Sequence, residues 1–150
     1  MENLIAKIKT DLITAMRSKD ENFLSTLRML IAALKNKKIS LSKGADIEEL
    51  TGEQVVESVQ SEIRKRKDSI SAYAQGNRQD LVEKEEKEIE ILKRYLPEQL
   101  SDEEIEKVVI EIINAGATEF GKVMGQAMAK LKGKVDGNKV SEIVKRVLAK

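Results

Sequence analysis

Residues 51–97 read TGEQVVESVQSEIRKRKDSISAYAQGNRQDLVEKEEKEIEILKRYLP, and this stretch decides the fold. Thr51 followed by Gln54 forms a capping box, in which each side chain satisfies the other residue's free amide at a helix start. Val55, Val56, Val59, Ile63 and Ile70 then recur at helical spacing, so they share one face. Gly76 is read as the end of that helix. After Asn77 a second apolar series, Leu81, Val82, Ile89, Leu92 and Leu96, runs to Pro97, the only proline, which cannot continue a helix. Two helices joined by so short a turn fold back on one another as antiparallel neighbours.

Working outward, the same periodicity covers most of the chain, and no stretch alternates like a half-buried strand, so the class is all-α. Towards the N-terminus, a helix from about Asn3 to Ser18 carries Leu4, Ile5, Ile8, Leu12, Ala15 and Met16, and a second carries Leu24, Leu27, Ile31 and Leu34. The polar run from Lys35 to Leu50, with Gly44 in its middle, reads as a frayed helix end and a loop. Beyond Pro97, Ser101 with Glu104 forms a second capping box, and Gly116 is placed to stop the helix that it opens. Thr118 is expected to start a sixth helix whose inner face centres on Phe120, with Val123, Met124, Ala127, Met128 and Leu131 also inside. Asp136 is expected to cap a seventh with Val140, Ile143, Val144, Val147 and Leu148 inside. The expected organisation is a helical module of about four helices over residues 1–97, then a three-helix bundle over 98–150.

Composition narrows the function. The 150 residues carry 27 basic and 26 acidic side chains, so net charge does not announce a nucleic-acid or membrane-surface protein. With no Cys and no His, disulfides, thiolate nucleophiles, serine triads and the common zinc ligand sets are excluded. Nucleophile or base would have to be a carboxylate, a lysine or a hydroxyl, and no glycine-rich phosphate loop is present. No catalytic residue, metal or cofactor is therefore expected. No apolar run approaches the roughly 20 residues of a membrane span. Met1 to Met16 is amphipathic with acids among its lysines, unlike a signal or transit peptide, so a cytoplasmic chain is expected.

Four patterns bear on sites. Glu86 and Glu90 lie one helical turn apart, as a bridging metal pair would, but alternation with Lys84 and Lys87 favours a solvated face. Gly121 and Gly125 have the spacing of close helix contact, which bundle packing explains. Arg66 and Lys67 fall between Ile63 and Ile70, so at least one lies on a face that should be apolar. Glu85 and Glu86 interrupt the facing series in the same way, and Arg66 is the residue considered for a pair. Counting outward from Gly76 brings it opposite Glu86, with Glu85 one residue off, and an interhelical ion pair that fixes register is the preferred account. Finally, charge is segregated: 98–115 has six acids and one lysine, whereas 116–150 has eight basic residues and three acids. Lys122 and Lys130 fall opposite the apolar face of the sixth helix, Lys139 and Arg146 align on the seventh, and Lys132 and Lys134 flank Gly133 in the turn between, where a bare backbone permits close approach to a phosphate.

Two segments carry a resemblance. Glu62-Ile-Arg-Lys-Arg-Lys-Asp-Ser, followed by Gly76, Arg78, Asp80 and Leu81 and closing on Tyr95-Leu-Pro-Glu-Gln-Leu-Ser101, resembles the signature of YqeY-like proteins. Gly121-Lys-Val-Met-Gly-Gln-Ala-Met128, then Leu131-Lys-Gly-Lys-Val-Asp-Gly137, is similar both to that family and to the tail of the GatB protein of the tRNA-dependent amidotransferase. The resemblance departs after Asn36, where the chain is lysine-rich rather than acidic, and at Asp68, where a Glu is expected. It implies a small C-terminal module that contacts tRNA, with the amidase, kinase and glutamyl-tRNA active sites in regions this chain lacks. The expectation is a non-catalytic accessory protein for tRNA or another structured RNA. An auxiliary of glutamine-dependent carbon-nitrogen ligation and a protein-protein adaptor are the alternatives.

Overall fold

In the computed structural model, residues 3–41, 44 and 46–150 are described. The expected loop residues Ser42, Lys43 and Ala45, and Met1 and Glu2, lie outside them. Seven α-helices follow in order: α1 (Leu4–Ser18), α2 (Glu21–Leu41), α3 (Gly52–Gln75), α4 (Gln79–Lys93), α5 (Asp102–Asn114), α6 (Phe120–Leu131) and α7 (Gly137–Leu148), with a 3₁₀ turn at Ile47–Glu49 before α3. The described residues form an all-α chain. It divides into two compact units, Met1–Leu96 and Pro97–Lys150.

In the first unit, Asn3 caps α1 by accepting from the Ala6 amide at 3.1 Å, and Asp20 caps α2 by accepting from the Phe23 amide at 3.1 Å. The Thr51–Gln54 capping box opens α3, its two bonds measuring 2.9 and 3.1 Å. Ile8, Leu27, Leu30, Leu34, Val55, Val59 and Leu92 are fully or almost fully buried where α1–α4 meet. The last residues before Pro97 are clasped by α1 and α2. Tyr95, fully buried, donates its hydroxyl to Asp11 Oδ2 at 2.6 Å, while Lys7 Nζ donates to the Arg94 carbonyl at 3.2 Å. Arg94 also stacks over the Phe23 ring, 5.0 Å from its centre. Burial and the Asp11 carboxylate push the Tyr95 phenol far above its ordinary range.

Two boundaries differ from the sequence reading. The helix expected to fray at Lys35 continues to Leu41, because its polar end finds partners: Lys38 pairs with Glu49 at 2.7 Å and Lys37 with Glu57 at 3.4 Å. Apolar periodicity stops at Leu34 and could not signal this. The α3–α4 turn pivots on Asn77 rather than Gly76. Gly76 has φ −86°, whereas Asn77 adopts the left-handed φ of 57°. Asn77 N–H donates to Ala74 O and Arg78 N–H to Tyr73 O, the two bonds of a Schellman end with Asn at its left-handed position.

In the second unit, α5 opens on the Ser101–Glu104 capping box and ends at Gly116, with φ 119°. Ile105, Val109 and Ile112 of α5 meet Val123, Ala127 and Leu131 of α6 and Val140, Ile143 and Val144 of α7 in one core. Asp102 pairs with Lys139 and Glu106 with Arg146, so partners advance together and α5 and α7 run in the same direction. Asp136 caps α7, accepting from the Asn138 amide at 2.9 Å. Helix α6 starts later than expected: Glu119, not Thr118, is its N-cap, and that cap makes no side-chain hydrogen bond.

Candidate nucleic-acid interface

The basic residues of the second unit fall into two groups. Lys139 lies 3.2 Å from Asp102 and Arg146 3.2 Å from Glu106, both exposed but held against the acidic helix. The charge segregation read along the sequence is therefore partly cancelled within the bundle. Lys122 and Lys130 of α6 and Lys134 of the following turn are exposed, and no carboxylate is in ion-pair reach of them among the described residues. Lys132 is exposed beside them, and Gly133 between the two turn lysines is half-buried with φ 83°, a conformation that only glycine adopts without strain. The Gly133 carbonyl accepts from Gln99 Nε2 at 3.1 Å and the Lys134 carbonyl from the Leu100 amide at 3.0 Å, which anchors this turn to the start of α5.

Two features of α6 stand differently from the sequence reading. Phe120, expected at the centre of the buried face, is 40% exposed. It is the first residue of the helix, so its inward direction points past the end of the core, and the Lys145 ammonium sits over its ring, 5.7 Å from the centre. Periodicity assigns a direction on the helix but not whether a neighbour stands there. Gly121 and Gly125, read as a close helix contact, are both exposed, and a Cβ built at either would meet nothing within 4 Å beyond the backbone of its own helix. Packing does not account for them.

In the first unit, Arg66 is 4% exposed, and its partners are not those counted from Gly76. Its Nη1 donates to the Glu62 carbonyl at 3.0 Å and lies 3.3 Å from Glu62 Oε1; its Nε is 3.5 Å from Glu88 Oε2. Glu86 is exposed. The pivot at Asn77 moves the hairpin centre by one residue, which moves every facing partner by two, from Glu86 to Glu88. Glu85 is half-buried in the same cluster, where burial and the nearby Glu88 push its carboxyl above the ordinary range against the opposing pull of Arg66. Arg66 Nη2 meets Met29 Sδ at 3.7 Å. The buried Nε is within ion-pair reach of Glu88 yet makes no aligned hydrogen bond, so this contact is coulombic.

Elsewhere, a groove of about 320 Å³ between α2 and α3 is lined by Asn36, Lys37, Ser40, Glu57, Ser61 and Lys65. Both lysines are ion-paired there, to Glu57 and Glu62, so its charge is internally balanced. Among the described residues no group of three or more acidic side chains is close enough to hold a metal ion.

Comparison with known proteins gives consistent relatives. "Altered inheritance of mitochondria protein 41, mitochondrial" of Lachancea thermotolerans is 42% identical over 61% of this chain and 47% of its own length. The protein of that name from Pyrenophora tritici-repentis is 32% identical over 98% of this chain and 82% of its own, and that from Kluyveromyces lactis 40% identical over 73% and 58%. The chain thus spans about half of the Lachancea relative and most of the Pyrenophora one. These names overturn the expectation of a cytoplasmic chain, since each relative is called mitochondrial. The expectation came from the character of Met1 to Met16, and a compartment signal is a separable segment that a folded helix does not report. The model of the YqeY-like protein family matches residues 5–148, and the chain belongs to that family.

Proposed function

We propose that the chain is an RNA-associated accessory protein that holds a tRNA or another structured RNA by its phosphate backbone, along the outer side of α6 and the turn after it. The observation that carries this reading is the set of exposed cations at Lys122, Lys130 and Lys134 with no ion pair among the described residues, beside an α6 surface that Gly121 and Gly125 leave bare. Cations not neutralised within the fold are the ones whose counterions an RNA can release. Lys139 and Arg146 take a smaller part, because binding through them would first have to break their pairs with α5. Asp136 already occupies the Asn138 amide at the start of α7 and sets a carboxylate there, so the contacts are made by side chains to phosphate, with little sequence preference.

The mitochondrial names of the relatives make organellar RNA the first pool to try. Delivery of RNA to a separate glutamine-dependent carbon-nitrogen ligase is the form in which an auxiliary role fits this reading. The test is the salt dependence of binding to a purified tRNA. With about four phosphates neutralised, the logarithm of affinity should fall against the logarithm of salt with a slope of about −3 to −4. Changing Lys122, Lys130, Lys132 or Lys134 to Ala should flatten it by about one unit each. Binding undetectable at about 50 mM salt, or untouched by removing all four lysines, would sink the RNA reading. The adaptor reading would then lead, on the strength of Ile13 and Met16, which expose about half of their surface one turn apart on α1.

A further inference from the structure

We propose that Phe120, at the head of α6, is a stacking platform for an unpaired nucleobase of the bound RNA, with Lys145 as the cation displaced from, or retained beside, its ring. The inference rests on the RNA reading above and adds a contact to the base where that reading has contacts to phosphate only. A phenylalanine in a small bundle normally supplies core area, yet this one is 40% exposed while Val123, Ala127 and Leu131 on the same helix are buried. An exposed lysine, Lys145, covers its ring at 5.7 Å, which keeps positive charge against the π face when no RNA is bound. Aromatic faces accept any base, and a neighbouring cation draws in the phosphate attached to it.

The arrangement around α6 fits a strand lying across it. Each residue turns a helix by about 100°, so Gly121 and Gly125 fall between Phe120 on one edge and Lys122 and Gln126 on the other. Both glycines are open to solvent, with nothing beyond their own helix backbone within 4 Å of where a Cβ would stand. A sugar-phosphate backbone running over them has Lys122 on one side and the Phe120 ring on the other. The ligand this geometry selects is therefore RNA with an unstacked base, as in a hairpin loop, over a fully paired duplex.

The test compares an RNA hairpin with an unpaired loop and a blunt duplex of equal phosphate number, using the full chain and two variants, Phe120→Leu and Phe120→Tyr, each checked by thermal unfolding. The wild type should bind the hairpin more tightly. Phe120→Leu should lose roughly 5- to 100-fold on the hairpin, little on the duplex, and keep the same salt slope, whereas Phe120→Tyr should bind as the wild type does. Hairpin and duplex bound equally by the wild type, with Phe120→Leu unchanged on both, would overturn the stacking site and leave the phosphate-binding reading intact. Phe120→Leu weakening both RNAs alike with a flatter salt slope would also overturn it, because the ring would then act by positioning lysines. Failure of the wild type to bind either RNA at low salt would remove both readings together.

Discussion

Arg66 Nε lies 3.5 Å from Glu88 Oε2 across the α3–α4 hairpin, with both side chains less than a tenth exposed. Glu62, one turn earlier on α3, holds the other side of the guanidinium at 3.3 Å. One buried cation thus faces two buried carboxylates. Arg66→Ala should destabilise the first unit by about 3–5 kcal/mol, because it strands Glu88 and leaves Glu62 with Lys65 alone, whereas Arg66→Met with Glu88→Leu should recover much of the loss. Denaturant unfolding of the single and double variants measures the difference. Small, additive effects of the two single changes would place the pair effectively in solvent.

The raised Glu85 carboxyl gives the same cluster a pH signature. A folded-state value above the unfolded one means that this residue favours folding most when protonated, and that the contribution is lost as pH rises through its folded value. Glu85→Gln should therefore stabilise at neutral pH and lose its advantage on acidification below the ordinary carboxylate range. The gain should be roughly 0.5 kcal/mol or less, since the group is only half-buried and solvent screens it. Thermal unfolding of both proteins across about pH 3 to 8 reads this convergence.

The left-handed residue in the α3–α4 turn is Asn77, so Asn77→Gly should stabilise by several tenths of a kcal/mol, whereas Gly76→Ala should be tolerated. At the end of α5 the order is reversed. Gly116 holds φ 119°, and Gly116→Ala should cost about 1–2 kcal/mol although space is open around it. Chemical denaturation of the three variants separates conformational strain from packing.

Gly125 sits inside α6 with open space at its Cβ position, so Gly125→Ala should raise stability by about 0.5–1 kcal/mol, and Gly121→Ala in the first turn by less. If the RNA lies on this face, the same changes should weaken RNA binding. Calorimetric unfolding and a tRNA-binding titration on one preparation test both signs at once. A variant that is more stable and binds as well as the wild type would place the RNA elsewhere.

The parts of this fold legible in sequence are those written in local chemistry. Thr51 with Gln54 and Ser101 with Glu104 announce helix starts because the partner amides are three residues away. What failed depends on distant placement. The partner of Arg66 required knowing whether Gly76 or Asn77 took the left-handed conformation, and glycine is the better prior. Exposure of Phe120 required knowing that the core ends before the first turn of α6 does. Pairing of Lys139 and Arg146 with α5 required the parallel course of α5 and α7, which no linear charge count contains.

The hydrogen bond from Tyr95 to Asp11 joins residues 84 positions apart, at the two ends of the first unit. During synthesis, which proceeds at roughly 5–20 residues per second, α1 therefore waits several seconds for the residue that completes its packing. Until Tyr95 has left the ribosome, Ile8 and Leu12 have only part of their final surroundings, and the nascent chain carries an open apolar face that a chaperone can hold. Pro97 follows two residues later, so the signal that unit one can close and the start of unit two emerge almost together.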